Sequence, residues 1–416
     1  MKAVIPESIK NGNNINEHII EILNNEYSGS ERKMTVIMDD YNKYMLKLPD
    51  MTREIALRAK MSYINNTISE HLGSSIMRIC GIPSQQTYIG EYSYVNSKNE
   101  EKKVVACLCK DLRDSGEKLI SFDNIELSLF SEEDTNFDIT FCKAKKIINS
   151  ISGIDDIEKE NIWKKYNDLF IVDALIGNTD RHFGNIGIVV DETTGAYVRF
   201  AEIYDCGSSL FPLIDDELIK SEKLPLSHVF IDVSSVFKDE DGMKIKYSDF
   251  LLDEDCSQDI KFALKRVIPN IDFEKIFNLI DSTPLISKER KQFLKAGLEE
   301  RYNKIIVPSL VLACNKDIKP DLDANNEELG KFYYDNLKQF KDIPVNDFAR
   351  IKIQGNEINV KKLNNRYVAI LNEQNVCEKV LPIRSNNKEI RSAISIINDL
   401  FEKGEKSHDR ETDQIS

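Results

Sequence analysis

The sequence predicts an α+β fold in which a small β-rich N-terminal lobe is followed by a mainly helical C-terminal lobe and a small C-terminal α+β module. Three observations predict this organisation. Short runs of apolar and β-branched residues bounded by turn residues occupy 34–109, and apolar residues recur at helical spacing through much of 141–307. Near 320–330 the chain becomes acidic and rich in asparagine, which is typical of a boundary, and a last set of short strands follows.

These patterns divide the chain into five segments. They are a lead-in at 1–26, the N-terminal lobe at 27–112, the helical lobe at 113–325, the C-terminal module at 326–402 and a disordered tail at 403–416. The lead-in is polar, with one short helical patch at 15–23. The tail carries almost no apolar side chains, which is typical of disorder.

Size and charge limit the classes of function. A chain of 416 residues can bury a large core without disulfides or structural metals. Its formal net charge of -14 opposes a broad attraction to nucleic acid or to an anionic bilayer. Its start lacks the apolar core of a secretory signal, and no stretch approaches the roughly 20 apolar residues of a membrane span. We therefore expect a cytoplasmic protein without direct nucleic-acid or membrane partners, and we leave open its secretion as an effector without a signal peptide.

The N-terminal lobe begins with a predicted β-hairpin. Residues 34–38 form the first strand, Asp39 and Asp40 form the turn, and 44–47 form the second strand. Lys47 lies on this second strand. A lysine in an otherwise apolar strand must find a partner when its head group is buried, so Lys47 is a candidate functional residue.

A helix and two further strands complete this lobe. Apolar residues at helical spacing predict a helix over 65–80, which carries Glu70 near its start. Residues 88–94 and 103–109 are predicted as two strands joined by a polar turn. Together these segments predict a mainly antiparallel sheet with one helix.

Helices dominate the next part of the chain. The predicted helices cover 141–150, 157–176, 259–267, 273–280 and 288–307. A strand pair at 186–190 and 196–201 closes through a five-residue loop. In the C-terminal module we expect a hairpin at 349–353 and 357–360, a strand at 367–371 and a closing helix at 389–401.

Two acids and an amide form the candidate reaction centre. Asp180 and Asn185 follow the end of a helix, and Asp205 follows the predicted strand pair. Phosphoryl transfer requires a carboxylate that orients and deprotonates a hydroxyl, oxygen ligands for magnesium, and cations against the phosphates. The Asp-x-x-x-x-Asn spacing is typical of catalytic loops in which the aspartate is the base and the asparagine binds metal. We therefore assign Asp180 as the base and Asn185 and Asp205 as Mg²⁺ ligands.

Residues upstream supply the predicted phosphate contacts. Residues 27–33 precede the first strand, and their main-chain amides and basic tip are suited to cover phosphates. The residues assigned there are Ser28, Gly29, Ser30 and Lys33. Lys47 and Glu70 follow in the order of a phosphate-contacting lysine held by an ion pair. One glycine in a loop is weak evidence for phosphate binding. The order of the loop, Lys47 and Glu70 along the chain strengthens that evidence.

Six short motifs carry a family resemblance. In order along the chain they are YSGSERK at 27, YMLKLP at 44, SEHLGSSIMRICGIP at 69, VVACLCKDL at 104, IGNTDRHFGN at 176 and IYDCGSSL at 203. Together they resemble the HipA-like serine/threonine kinases, including the CtkA-type members, over residues 27 to about 310. The resemblance implies a two-lobed protein-kinase-like fold that binds ATP in the cleft, uses Mg²⁺ and phosphorylates a protein serine or threonine.

The resemblance also assigns further residues and partners. It implies that Lys110, Asp111 and Leu112 form the hinge on which adenine rests. It makes Ser28 and Ser30 candidate autophosphorylation sites and an antitoxin a candidate partner. At Cys206 the chain departs from the phenylalanine familiar in ordinary protein kinases, so the regulatory packing of that side chain is not carried over. The module after about 330 matches no family.

Several alternatives stay open at this point. His182, which is grouped with the nucleotide-binding residues, either donates a hydrogen bond that fixes the catalytic loop or serves as a structural prop. Glu70 has a solvated helix position as its alternative. The competing functions are a lipid or small-molecule kinase of related fold and a catalytically inactive kinase-fold scaffold.

Overall fold

The computed structural model describes residues 10–23, 33–49, 65–95, 99–129, 141–221, 223–238 and 242–412, with side chains described as far as residue 401. The chain divides into two compact units. The first contains residues 1–250 and 275–301, and the second contains 251–274 and 302–416. Ser28, Gly29 and Ser30 of the predicted phosphate loop lie outside the described residues.

A five-stranded antiparallel sheet forms the N-terminal part of the first unit. Its strands are β1 Ile19–Leu23, β2 Lys33–Met38, β3 Lys43–Lys47, β4 Thr87–Val95 and β5 Glu101–Lys110, in the order β1-β2-β3-β5-β4. Val36, Leu46 and Leu108 are buried together in its core. Helix α1, Asn66–Ile79, packs against β4 and β5. The predicted hairpin, helix and strand pair are confirmed.

The lead-in differs from its prediction. The sequence predicts a helical patch at 15–23, but the structure has a 3-10 turn at Ile15–His18 followed by β1, which pairs with β2. The N–H of Gly12 also donates to the carbonyl of Ile89 at 2.8 Å. Residues 19–23 form a strand despite their helical spacing, because β-branched residues suit a strand and the edge of β2 offers hydrogen-bond partners. These residues are therefore part of the lobe.

Helices make up most of the remaining chain. They are α2 Phe122–Leu129, α3 Phe141–Ser150, α4 Asp156–Ile176, α5 Asp216–Lys220, α6 Leu226–Ile231, α7 Tyr247–Leu251, α8 Gln258–Val267, α9 Phe273–Ser282, α10 Lys288–Arg301, α11 Val307–Asn315, α12 Asn326–Phe332 and α13 Asn387–Thr412. In the part of the chain that the structure describes, none of the helices is long and apolar enough to cross a membrane.

Two small sheets lie among these helices. The strands β6 Glu117–Ser121, β7 Gly187–Asp191 and β8 Tyr197–Phe200 form a three-stranded antiparallel sheet in sequence order. The strands β9 Ser234–Lys238 and β10 Lys244–Lys246 form a two-stranded one. The predicted strand pair is confirmed as β7 and β8. Strand β6 was not predicted, because it is short and its partner lies far along the chain.

The predicted helix at 288–307 is interrupted. Helix α10 ends at Arg301, and a π-helical turn at Tyr302–Ile306 leads into α11. Pro308 in the first turn of α11 has no N–H to donate to the preceding turn. A proline at this point therefore explains why regular α-helical hydrogen bonding does not continue through the segment.

The second unit contains a four-stranded antiparallel sheet. Its strands are β11 Phe348–Ile353, β12 Asn356–Lys362, β13 Tyr367–Leu371 and β14 Cys377–Pro382, in sequence order. Phe340, Val360 and Val368 are fully buried in the core, to which α12 and α13 contribute. The predicted hairpin, third strand and closing helix are confirmed, and β14 is an additional strand.

This unit also takes in residues that the sequence assigned to the helical lobe. They are 251–274 and 302–325. Buried Lys361 of β12 explains part of this difference, because its Nζ donates to the carbonyls of Pro269 and Ile271, both at 2.7 Å. No local pattern signals such a distant link. Helix α13 continues to Thr412, into the predicted tail, since its charged residues favour a helix.

Candidate active site

A buried lysine joins two acids at the centre of the site. Lys47 lies at the end of β3, and its Nζ donates to Glu70 Oε2 at 3.0 Å and to Asp205 Oδ1 at 2.7 Å. The Lys47 side chain is 4% exposed and the Glu70 side chain 0%, whereas the Asp205 side chain is 36% exposed. A buried ammonium needs compensation by nearby negative charge, and these two carboxylates supply it. The ion pair predicted between Lys47 and Glu70 is confirmed.

Two glycines let helix α1 approach the segment that carries Asp205. A Cβ atom on Gly73 would lie 2.7 Å from Ser209 Oγ and 2.8 Å from the Cβ of Cys206. A Cβ atom on Gly207 would lie 3.3 Å from Glu70 Oε2. Because glycine has no Cβ, the helix and the segment come close enough for Glu70 to enter the site.

The predicted catalytic loop, residues 177–185, begins at the C-terminal end of α4. Gly177 ends that helix in the left-handed conformation, with φ of +66°, and its N–H donates to the carbonyl of Asp173. Asn178 bonds the same residue twice, from its N–H to the carbonyl and from Nδ2 to Oδ1, both at 3.0 Å. Asn178 Oδ1 then accepts from the N–H of Asp180 at 3.0 Å. The Asn178 side chain thus fixes the main chain that carries the predicted base.

Arg181 connects the 177–185 loop to the segment that carries Asp205. It is 5% exposed, and its Nε donates to Asp173 Oδ2 at 3.0 Å. Its Nη1 donates to the main-chain carbonyls of Tyr204, Asp205 and Asn185. Burial lowers the pKa of Arg181, but Asp173 and Cys206 together outweigh burial and raise it overall, so the guanidinium keeps its charge. One buried ion pair therefore holds both segments that carry the predicted acids and amide.

The two site aspartates differ in proton affinity. Burial raises the pKa of Asp180 above its usual value; His182 opposes this change and the negative charge of Asp205 adds to it. Burial would also raise the pKa of Asp205, but Lys47 outweighs burial and lowers it overall. Asp205 is therefore held as a carboxylate, while Asp180 binds a proton more readily. A metal ligand needs the first property and a general base the second.

Asn185 is oriented by its own amide nitrogen. Its Nδ2 donates to the main-chain carbonyl of Asp180 at 2.8 Å, which leaves Oδ1 as the atom offered to a cation. An amide oxygen and the Asp205 carboxylate are the hard donors that Mg²⁺ prefers, so the residues present fit that ion. Within the described ranges, no cluster of three or more His, Cys, Asp or Glu side chains forms a metal site.

His182 accepts a hydrogen bond where the sequence analysis considered a donor. Its Nδ1 accepts from the N–H of Gly184 at 3.0 Å. The neutral ring then carries its proton on Nε2, which lies 3.9 Å from Asp180 Oδ2. The side chain therefore shapes the 177–185 loop, as in the structural alternative, and also lies beside the predicted base.

The predicted hinge uses most of its main-chain groups within the protein. The N–H groups of Lys110 and Asp111 both donate to carbonyls of neighbouring strands and loops, and the Asp111 carboxylate pairs with Arg113 at 2.7 Å. The Leu112 carbonyl accepts from Arg199 at 2.7 Å. The Leu112 N–H has no hydrogen-bond partner among the residues that the structure describes. Of the three hinge residues, Leu112 is therefore the one with a main-chain donor left for a ligand.

Lys33 lies beside Lys47 in the sheet. It is the first residue of β2, and its Cα is directly opposite that of Lys47 in the pairing of β2 with β3. Residues directly opposite each other in an antiparallel pair project from the same face of the sheet. The two cations that the sequence assigned to phosphates therefore share one face.

Sequence reasoning missed the residues that hold the site together. Asp173, Asn178 and Arg181 received no predicted role, although all three are buried. For Asp173 a signal was present, because an acid within the apolar end of a long helix must find a partner when it is buried. Arg181 lies inside the motif at 176, but its spacing alone does not show which carboxylate it meets.

The chain resembles a bacterial kinase along most of that protein's length. It is 32% identical over 267 residues to the serine/threonine-protein kinase CtkA of Helicobacter pylori strain J99, covering 63% of this chain and 77% of the relative. The crystal structure of the Helicobacter pylori proinflammatory kinase CtkA matches with a TM-score of 0.62 at 29% identity, over 72% of this chain and 97% of that one. Shewanella oneidensis HipA, in a complex with HipB and operator DNA, matches with a TM-score of 0.38 at 8% identity, over 70% of this chain and 66% of that one. No protein-family model matches the chain.

The two CtkA matches agree with the fold. The β-rich lobe presents a lysine paired with a helix glutamate, and the helical lobe presents the loop with Asp180 and Asn185 followed by Asp205. This is the two-lobed α+β fold of protein-kinase-like enzymes. The chain belongs to the CtkA family of serine/threonine-protein kinases.

Proposed function

We propose that the chain transfers the terminal phosphate of ATP to a serine or threonine hydroxyl of a protein, with Mg²⁺ as cofactor. The observation that carries this proposal is the contact of Lys47 with both Glu70 and Asp205. A lysine held by a helix glutamate, next to a metal-binding aspartate, is the arrangement that kinases use to position nucleotide phosphates.

Each acid and amide has a role that its geometry supports. Asp180 accepts the proton of the attacking hydroxyl, and burial favours this by raising its pKa. Asn185 Oδ1 and the Asp205 carboxylate hold Mg²⁺, which when bound neutralises charge on the transferred phosphate. Arg181 keeps the two segments in register, because it bonds the main-chain carbonyls of both Asn185 and Asp205, each at 3.4 Å.

Other residues bind the nucleotide. Lys47 donates to phosphate oxygens, and Glu70 keeps its ammonium in position. Lys33 adds a second positive charge on the same face of the sheet. The Leu112 N–H, which has no partner within the described residues, donates to the adenine ring. Ser28 and Ser30 are the proposed autophosphorylation sites.

Mass spectrometry after incubation with ATP and Mg²⁺ tests these roles. We expect wild type to gain phosphate on Ser28 or Ser30, and Asp205→Ala to gain none. Asp180→Asn should slow transfer by about 10² to 10⁴-fold, the usual contribution of a general base. Asp156→Asn is the matched control, because the Asp156 side chain is fully exposed at the start of α4, and it should transfer phosphate at the wild-type rate. Unchanged transfer in Asp180→Asn would show that another group is the base.

The competing functions give different outcomes in a second assay. Labelled ATP is supplied with a protein lysate in one arm and with phosphoinositide vesicles in the other. Transfer to lipid alone would reject a protein substrate. Binding of Mg²⁺ and ATP without transfer in either arm would indicate an inactive scaffold. An antitoxin partner is proposed from the family resemblance alone, and co-purification from the source cell tests it.

A further inference from the structure

A cation-lined cavity in the second unit is unused by the kinase reaction. Its volume is about 410 Å³, and it lies at the start of helix α13, beside the ends of β12 and β14. Its polar lining consists of Lys341, Lys362, Arg384, Asn365, Ser385 and Asn386. None of the lining residues is acidic, although the chain as a whole has a net charge of -14. Positive charge is therefore concentrated at this cavity, although the chain as a whole is negatively charged.

Lys362 brings a buried cation to this cavity. The residue is 5% exposed, and its Nζ donates to the carbonyls of Ile343 at 2.7 Å and Lys341 at 3.4 Å. These bonds use two of the three ammonium protons. Among the described residues, no carboxylate lies within ion-pair distance of Lys341, Lys362 or Arg384. Carbonyl oxygens satisfy hydrogen bonds but leave the net charge in place, so the cavity attracts an anion.

The N-terminus of α13 adds to the positive potential. Asn386 caps the helix by accepting from the N–H of Glu389 at 3.0 Å. The first-turn N–H groups of a helix have no carbonyl partner within the helix, and they give its N-terminus a partial positive charge. Glu389 is the acidic residue of this turn, and its carboxylate pairs with Arg366 at 2.8 Å. That pairing keeps its negative charge from cancelling the cations of the cavity.

We propose that this cavity binds a phosphomonoester, either as free phosphate or as the phosphoryl group of a phosphorylated serine. A phosphoryl group carries a charge of about -1.5 to -2 and three strong acceptor oxygens. Two lysines and an arginine match that charge better than they match a carboxylate, and arginine adds a planar fork suited to phosphate oxygens. The volume falls within the roughly 300 to 1,000 Å³ of small-molecule sites and leaves room for the group that bears the phosphate.

Calorimetric titration of the full chain tests this proposal. The probes are inorganic phosphate, a capped Gly-Ser-Gly peptide phosphorylated on serine, and the same peptide without phosphate. A saturating non-hydrolysable ATP analogue with Mg²⁺ fills the nucleotide site in every titration. We expect saturable binding of the phosphorylated peptide and none of the unphosphorylated one. Equal affinity for inorganic phosphate would identify the small anion as the ligand, and tighter peptide binding would identify a phosphorylated protein; both outcomes support the proposal.

A pair of exposed cations provides the decisive variant. Lys341→Gln/Arg384→Gln leaves buried Lys362 in place, so the fold is expected to persist, and affinity should fall by at least about tenfold for each lost charge-assisted bond. Lys331→Gln is the matched control, since Lys331 is an exposed cation of α12 outside the cavity lining, and it should bind as wild type does. Failure of both inorganic phosphate and the phosphorylated peptide to bind, equal affinity for the unphosphorylated peptide, or undiminished affinity in the double variant would overturn the proposal. Phosphate transfer by the same variants is a separate measurement, so a failure here is distinguishable from a failure of the proposed kinase mechanism.

Discussion

Two buried arginines of the first unit are held in different ways. Arg181 is 5% exposed and Arg301 is 1% exposed. Burial lowers the pKa of both, but at Arg181 the ion-pair partner Asp173, together with Cys206, raises the pKa overall. Arg301 instead donates to the main-chain carbonyls of Phe230 and Leu175, and its pKa falls to about 9. The described residues place no carboxylate within ion-pair distance of Arg301.

The surroundings of each arginine explain what it does. Arg301 lies over the ring of Phe211, with 4.4 Å between its Cζ and the ring centroid, and against Gly177 at the C-terminal end of α4. Carbonyl dipoles at a helix C-terminus favour a cation, so Arg301 stabilises that helix end. Arg181 joins two segments of the site through an ion pair. Loss of Arg181 would leave a buried carboxylate without its cation, whereas loss of Arg301 would not, so the two arginines should differ in how much the protein depends on them.

Removal of Arg181 should have the largest effect. Arg181→Met leaves Asp173 as a buried carboxylate without its cation, which should cost about 3 to 5 kcal/mol of unfolding free energy. We also expect transfer to slow by about 100-fold, because the 177–185 loop and the Asp205 segment lose their common partner. Urea unfolding and single-turnover phosphate transfer measure the two effects. A loss no larger than the roughly 1 kcal/mol of a surface ion pair would contradict this view of the pair.

His71, like Arg301, is a buried basic side chain for which the described residues provide no acidic partner. Burial, assisted by Arg78, lowers the pKa of His71 from 6.5 to about 4. The unfolded chain therefore binds this proton at higher pH than the folded chain does. The contribution of neutral His71 to stability is complete above pH 6.5 and is lost as pH falls through about 4, by about 3 kcal/mol in total.

His71→Gln tests this pH dependence, because glutamine cannot titrate in the same range. Unfolding free energy measured between pH 7 and pH 4 should fall less steeply in this variant than in wild type. An equal slope in His71→Gln and wild type would show that His71 is not the titrating group.

Gly177→Ala disturbs the contact between the loop and Arg301. Alanine at φ of +66° costs about 1 to 2 kcal/mol, and its Cβ would lie 2.2 Å from Arg301 Nη1, so the guanidinium must move. We expect a total loss of about 2 to 3 kcal/mol in urea unfolding. Gly195→Ala isolates the backbone part, because Gly195 has φ of +71° with nothing within 4 Å of its Cβ position. Equal losses of unfolding free energy in the two variants would show that the clash with Arg301 does not contribute.

Arg301→Met should have the smallest effect. The substitution leaves two main-chain carbonyls with one bond fewer each, but it also removes a buried charge, so we expect a loss of about 1 kcal/mol. Phosphate transfer should remain within about threefold of wild type, since Arg301 bonds neither Asp180 nor Asp205. The double variant Gly177→Ala/Arg301→Met should lose less stability than the two single variants added together, because the clash is gone. A loss of activity as large as that of Arg181→Met would erase the distinction between the two arginines.

Local patterns in the sequence single out the residues that the proposed mechanism uses. Lys47 is revealed by an apolar strand, Glu70 by a helical repeat, and Asp180, Asn185 and Asp205 by spacing around a helix end and a strand pair. Each of these signals lies within a short stretch of sequence. That is why the order of the site residues could be assigned before any contact was known.

Contacts between distant segments were beyond such patterns. The ion pair of Asp173 and Arg181 holds together two segments that are far apart in the sequence. A glycine is needed at Gly73 because helix α1 contacts Cys206 there. The same limit applies to the fold. Strand β1 forms because β2 offers it an edge, and Lys361 binds the carbonyl of Pro269 from a different part of the chain. Neither helical spacing nor composition indicates which distant residues will be these partners.

Strand β1 also has a practical consequence for handling the protein. A shortened version that begins at residue 27 would leave one side of β2 with bare N–H and C=O groups. Bare strand edges recruit strands from neighbouring molecules, and this is a common origin of aggregation. Proteolytic loss of the first residues during purification should therefore cause precipitation, even though the side chains assigned to catalysis are still present.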